Sequence, residues 1–149
     1  MARENQAREL SRARRATRKV LVQALYQLQL AEQPWQDIYQ QHVVDPDSVG
    51  SDPDYFKELL MHIATERVAL DGTLARYSDI LPERLDPIEH GILWIALYEL
   101  QQRLDVPFRV AISEAVELAK RFGATDGHKF VNGVLDRAAS ELRPGERGQ

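Results

Sequence analysis

Seven arginine and lysine side chains fall within the first 19 residues, where they could bind phosphate groups. On a helix, four of them follow one another at spacings of four, three and four residues and so share one face: Arg8, Arg12, Arg15 and Lys19. Arg14 and Arg18 form an adjacent row. The planar guanidinium group matches phosphate oxygens in pairs and also stacks on bases. A solvated face that only aids solubility would normally mix both signs of charge, but residues 10–21 contain no acid. The pattern favours a nucleic-acid interface.

The positive charge of the chain is concentrated in this N-terminal segment. Residues 1–19 hold seven basic and two acidic side chains, a charge of +5. Because the whole chain carries −4, the remainder carries −9. Charges are screened over about 8 Å at physiological salt, so the basic segment attracts only anions that come close to it. The balance predicts a focused anion site on an acidic body and argues against a general polyanion binder.

Two further places could meet a nucleic acid. Lys129 and Phe130 fall in the first turn of a predicted helix, where free N–H groups favour anions and an aromatic ring could stack on a base. The spacing of Phe130 and Val134 also suits a position in the core, and for Phe130 the pattern alone favours this second alternative. Tyr26 is balanced between a buried tyrosine and an aromatic surface for RNA. Gly133, inside the same helix, predicts a close approach by another helix.

Catalytic and metal-binding patterns are missing from the sequence. The chain has no cysteine, and its four histidines (His42, His62, His90, His128) show no ligand spacing. Phosphate-binding loops, dinucleotide fingerprints and nucleophile elbows are also missing. We expect no metal site, no cofactor and no enzymatic activity. Since no apolar run approaches the roughly 20 residues of a membrane helix, we expect a cytoplasmic protein with no membrane contact.

The elements that position these side chains are predicted to be helices throughout. Apolar residues recur at three- and four-residue spacing from about Ser11, and a run apolar on all sides, residues 92–98, predicts a central helix. Asp52-Pro53 and Asp86-Pro87 are typical helix starts, with Glu89 able to complete a capping box. Further expected features are a short helix over 35–42, a loop over 45–54, a helix over 66–78 with a break near Gly72, a cap at Gly123 and a last helix from Thr125-Asp126.

The predicted domain organisation is simple. Residues 1–10 are expected to be a disordered basic N-terminus, residues 11–143 a single RNA-binding domain, and residues 144–149 a loose C-terminal tail. Composition supports one globular domain at 149 residues.

Several runs of residues resemble one known family. In the C-terminal half they are Leu97-Tyr98-Glu99-Leu100, Val106-Pro107, residues 110–120 and Lys129-Phe130-Val131-Asn132-Gly133-Val134-Leu135-Asp136. In the N-terminal part, Ala16-Thr17-Arg18 and Gln23-Ala24-Leu25-Tyr26 agree in order and spacing. The chain from about Arg14 to Arg143 is thereby identified as a member of the NusB family.

The resemblance implies an all-α fold, a compact bundle of about seven helices in two packed subdomains. It also implies a bacterial transcription antitermination factor that binds the single-stranded boxA segment of RNA together with NusE, a small-subunit ribosomal protein. NusA, NusG and RNA polymerase would complete the complex during ribosomal RNA transcription. Self-association of some family members leaves a homodimer open. An alternative is an adaptor that holds NusE, with RNA contact only incidental.

The resemblance also implies roles for individual residues. The RNA-binding set would be Arg14, Arg15, Arg18, Tyr26, Lys129 and Phe130. Asp126 would flank this site and weaken binding by repulsion, and Tyr77 and Glu89 would lie near the RNA or partner surface. The chain departs from the family in its longer N-terminus, which adds Arg3, Arg8 and Arg12, and in Ser113, where asparagine is common.

Overall fold

The computed structural model describes residues 1–147, and within them the chain is helical without strands. The α-helices are α1 (Ala2–Ala31), α2 (Trp35–Val43), α3 (Pro53–Thr65), α4 (Arg67–Ala75), α5 (Pro87–Gln102), α6 (Phe108–Phe122), α7 (Gly127–Leu142) and the single turn α8 (Pro144–Arg147). The chain divides into unit 1, Met1–Thr65, and unit 2, Glu66–Gln149. The predicted all-α class is confirmed.

Unit 1 is built on the C-terminal two thirds of α1, which packs against α2 and α3. Its core consists of fully buried side chains: Leu21, Leu25, Ile38, Leu59, Leu60 and Ile63. The expected start of α3 is confirmed, because the Asp52 carboxylate accepts hydrogen bonds from the backbone N–H groups of Asp54 (3.0 Å) and Tyr55 (3.2 Å). A 3-10 turn over Pro46–Ser48 lies within the predicted loop.

The helix α1 begins nine residues earlier than the apolar pattern predicts. Residues 1–12 are all exposed, so no core packing holds them in the helix. They are nevertheless mostly strong helix formers without glycine or proline, and they continue a helix already nucleated by the packed residues after Thr17. The structure thus differs from the expectation of a disordered segment over residues 1–10.

Unit 2 surrounds α5, which contacts α4, α6 and α7. Every residue from Glu89 to Leu100 is buried, so the prediction of a central helix over the apolar run is confirmed. Asp86 caps its first turn, accepting hydrogen bonds from the N–H groups of Ile88 (2.8 Å) and Glu89 (3.3 Å). The Asp71 carboxylate of α4 accepts hydrogen bonds from His90 (2.6 Å) and the buried Trp94 (2.9 Å), which ties α4 to α5.

Two glycines differ in their roles from the sequence-based expectations, whereas the cap expected at Gly123 is confirmed. Gly72 lies inside α4 without a break, and the interruption falls at Glu66 instead. At Gly133 a Cβ atom would meet only the Arg137 side chain of the same helix, at 3.6 Å, so no other helix approaches closely there. Gly123 does end α6, but in an extended conformation; a Cβ there would lie 2.7 Å from the carbonyl oxygen of Ala119.

The chain after α7 is held by a polar cluster where a loose tail is expected. Arg143, only 6% exposed, donates to the carbonyl oxygens of Leu100 (2.8 Å), Glu99 (3.0 Å) and Arg103 (3.0 Å) at the end of α5. It also pairs with both carboxylate oxygens of Glu146 at 3.0 Å. Glu146 in turn accepts the N–H of Phe108, the first residue of α6 (2.9 Å). Residues 148–149 of the predicted tail lie outside the described residues.

Candidate nucleic-acid interface

The basic part of α1 is fixed to the start of α3 by one buried hydroxyl. Thr17 is fully buried; its Oγ1 donates to the carbonyl oxygen of Ala13 (2.7 Å) and accepts the N–H of Asp52 (2.8 Å). One turn earlier, the Arg14 guanidinium lies 4.5 Å from the centre of the Tyr55 ring. Such cation–π contact orients the guanidinium over the ring and limits its motion. These two contacts set the rotation of α1 and therefore which side chains face solvent.

The structure separates the three arginines that the family resemblance groups together. Arg15 is exposed, Arg14 is half-buried against Tyr55, and Arg18 is only 3% exposed. A guanidinium that is almost wholly buried offers little surface to a phosphate group. The direct contact predicted for Arg18 remains a prediction, but its burial favours an indirect role.

Tyr26 lies on the same face of α1 as Arg15, three turns further along. Its side chain is 42% exposed, so the alternative of a buried tyrosine is wrong. The ring is free to offer a face to a base, as aromatic residues do in single-strand-binding proteins. Unit 1 thus combines an exposed cation and an exposed aromatic ring on a single rigid helix.

The second group of predicted residues lies at the start of α7 in unit 2. The Lys129 Nζ is 3.3 Å from the Asp126 carboxylate, and both side chains are largely exposed, at 72% and 66%. Phe130, the next residue, is half-buried, so its exposure lies between those expected for a core position and for a surface position. Asp126 adopts a left-handed conformation (φ 66°) and its side chain does not cap the helix. Its carboxylate therefore reduces the positive charge that Lys129 presents.

Glu89 and Tyr77 are both buried within unit 2 and do not lie at an open surface. Glu89 is 8% exposed, and its carboxylate lies so close to Gly127 that a Cβ there would overlap it. Burial, with a smaller effect of Asp86, raises the pKa of Glu89. Tyr77 is 6% exposed and its hydroxyl donates to Glu141 (2.7 Å). Burial and then this hydrogen bond raise the pKa of Tyr77. Their roles near RNA or a partner stay predictions.

Sequence reasoning missed the residues that orient the basic helix, namely Thr17, Asp52 and Tyr55. The Asp52-Pro53 signal indicated a helix start, but nothing in the pattern showed that its backbone N–H would meet Thr17. In the part of the chain that is described, no group of three acidic or histidine side chains could hold a metal ion. The described helices include none long and apolar enough to span a membrane.

Fold and surface together define an all-helical protein in which one long helix presents cations and an aromatic ring to solvent. Comparison with known proteins then identifies the family within this class of all-helical proteins. The model of the NusB family matches residues 15–140, and the chain belongs to that family.

Relatives of this family agree along most of the chain. Transcription antitermination protein NusB from Escherichia coli O139:H28 is 50% identical over 135 residues, which cover 91% of this chain and 97% of that protein. The protein of the same name from Shigella boydii serotype 18 has the same identity and coverage. The solved structure of T. maritima NusB superimposes with a TM-score of 0.78 at 28% identity, over 91% of this chain and 97% of the other.

Proposed function

We propose that this protein acts in transcription antitermination in the bacterial cytoplasm, by binding boxA-type single-stranded RNA jointly with NusE. The assembly would include NusA, NusG and RNA polymerase and would support ribosomal RNA transcription. Antitermination is supported by membership of a family whose relatives are named transcription antitermination proteins. RNA binding is supported above all by the exposed Arg15 and Tyr26 on one face of α1.

Each group of residues has a chemistry that suits single-stranded RNA. Arg15 and the half-buried Arg14 would hold phosphates in unit 1, while Tyr26 would stack on a base. Lys129 and Phe130 would supply the same pair of contacts from unit 2. Arg18, being buried, would act by supporting α1. Sequence readout would come from edges of unstacked bases, because phosphate contacts carry no sequence information.

The experiment that tests this function is a gel shift with boxA RNA at about 50 and 200 mM salt, with NusE present and absent. If about four phosphates are neutralised, the slope of log affinity on log salt is roughly −0.7 for each. Affinity should then fall on the order of 50-fold between the two salt concentrations. NusE should strengthen binding at both. Affinity that does not respond to salt would contradict a phosphate-binding surface.

An adaptor for NusE is the second candidate, and the burial of Arg18 favours it. With Arg18 inaccessible, fewer of the predicted residues remain to bind RNA directly. The adaptor hypothesis expects stable NusE binding but no RNA affinity for either protein or for the pair. Synergy between the two proteins on RNA would exclude it.

Asp126→Asn should raise the affinity for boxA RNA by about 2–10-fold, most strongly at low salt. The substitution removes a negative charge beside Lys129 and releases that lysine for phosphate. The surface pair it breaks contributes little stability because both side chains are exposed. Glu83→Gln, which removes an equal charge from an exposed position, is the control. Fluorescence anisotropy measures both, and unchanged or weaker binding in Asp126→Asn would show that Asp126 does not oppose RNA.

A further inference from the structure

A straight stripe of exposed polar side chains runs along α1 far beyond the residues that the family resemblance assigns to RNA. It consists of Arg8, Arg12, Arg15, Lys19, Gln23 and Tyr26, at successive spacings of four, three, four, four and three residues. At 100° per residue these six side chains fall within about 80° of one another around the helix. Every one of them is exposed. We call this set the α1 stripe.

Three cations of the stripe are available for a ligand. The side chains of Arg8, Arg12 and Lys19 make no ion pair or hydrogen bond with any residue in the described part of the chain. Between Arg8 and Lys19 the helix rises about 16 Å. Neighbouring cations at three- and four-residue spacing lie about 5–6 Å apart at their Cβ atoms. A row of single positive charges at this regular spacing fits the repeating phosphates of an extended strand.

The position of the stripe indicates what it binds. It ends at Tyr26 and includes Arg15, the two exposed residues of unit 1 that the proposed function places on RNA. Glu4, one turn before Arg8, bounds it at the other end. The family model begins at residue 15, so Arg8 and Arg12 lie outside the matched region. Since residues 1–12 are all exposed, core packing does not account for this part of the helix.

We propose that the α1 stripe binds the sugar-phosphate backbone of RNA without sequence preference, through Arg8, Arg12 and Lys19, and so extends the RNA contact made at Arg15 and Tyr26. The proposal rests on the proposed function for its starting point. It adds a surface that begins before the region matched by the family model and whose ligand is RNA beyond the boxA element. Phosphate contact alone positions the strand, so this extension should increase affinity while leaving sequence specificity unchanged.

The test compares the wild-type protein with Arg8→Gln/Arg12→Gln, since glutamine removes the charge and keeps helix propensity. Anisotropy is measured with NusE on a boxA RNA of minimal length and on the same RNA lengthened by oligouridylate at either end. We expect the double variant to bind the minimal RNA as the wild type does. On one of the longer RNAs it should bind on the order of 10-fold more weakly at 0.1 M salt, with a salt slope shallower by about 1.4.

The matched control is Arg3→Gln/Arg84→Gln, which removes the same charge from exposed positions off the stripe and should leave all RNA affinities unchanged. Oligouridylate alone, titrated without NusE, separates the two proposals, because the stripe should still bind it more tightly than the double variant does even if boxA recognition fails. The inference is overturned if the wild type gains nothing from longer RNA, or if Arg8→Gln/Arg12→Gln weakens NusE binding while RNA affinity is unchanged. Wild-type binding that is salt-insensitive on boxA RNA counts against the proposed function instead.

Discussion

Arg143→Ala should lower the free energy of unfolding of unit 2 by about 3–5 kcal/mol. All three guanidinium nitrogens of Arg143 donate hydrogen bonds, to three carbonyl oxygens at the end of α5 and to Glu146. The last carbonyls of a helix have no partner within it, and Arg143 supplies a donor to that of Leu100. Removing the side chain leaves this carbonyl without its donor and Glu146 without its cation, while the other two carbonyls keep a backbone N–H donor. The midpoint of thermal unfolding should fall on the order of 10 °C.

Two variants show which part of this cluster matters. Arg143→Lys retains the charge but cannot reproduce the planar set of donors, so we expect a loss between those of wild type and Arg143→Ala. Glu146→Gln keeps an oxygen acceptor for the N–H of Phe108 and loses only the ion pair, so its effect should be smaller. Arg84→Ala, at an exposed position, serves as the control. Circular dichroism follows the transitions; an Arg143→Ala protein that unfolds with the wild type would disprove the stabilising role of the cluster.

Helix starts and the core were the parts of the fold that the sequence could predict. Asp52-Pro53 and Asp86-Pro87 act through hydrogen bonds to neighbours two and three residues away, so their effect is local and visible in the pattern. The apolar run in α5 is buried because an all-round apolar helix has no other stable place. Gly133 was misinterpreted because its helix position says nothing about which chain segment comes near it.

The site was only partly predictable because exposure depends on contacts distant in sequence. Spacing alone does not distinguish Arg14, Arg15 and Arg18 in their exposure. Their different exposure follows from the way α1 packs in unit 1, where Thr17 contacts Asp52 and Arg14 contacts Tyr55. The C-terminal cluster escaped prediction for the same reason. Arg143 and its carbonyl partners are separated by about 40 residues, and Pro144-Gly145 by itself indicates an irregular end.

Arg15→Ala should therefore lower mainly the RNA affinity, and Arg18→Ala mainly the stability. Arg15 is exposed, and losing one phosphate contact should weaken RNA binding about 5-fold at 0.1 M salt with little change in unfolding temperature. Tyr26→Ala should weaken RNA binding by about a further 10-fold because stacking on a base is lost. The double variant Arg15→Ala/Tyr26→Ala should therefore bind RNA about 50-fold more weakly than the wild type. Anisotropy on boxA RNA with NusE measures these values.

Arg18→Ala, by contrast, should lower the unfolding midpoint by several degrees, because it removes a side chain that is 3% exposed and the packing of its alkyl chain. The folded fraction of this variant should retain most of the RNA affinity that Arg15→Ala loses. The two readouts separate a residue that touches RNA from one that supports the helix. If Arg18→Ala loses RNA binding at an unchanged unfolding temperature while Arg15→Ala binds normally, then burial does not decide which arginines of α1 hold the strand. Direct contact by Arg18 would in that case require α1 to rotate or to separate from its neighbours when RNA binds.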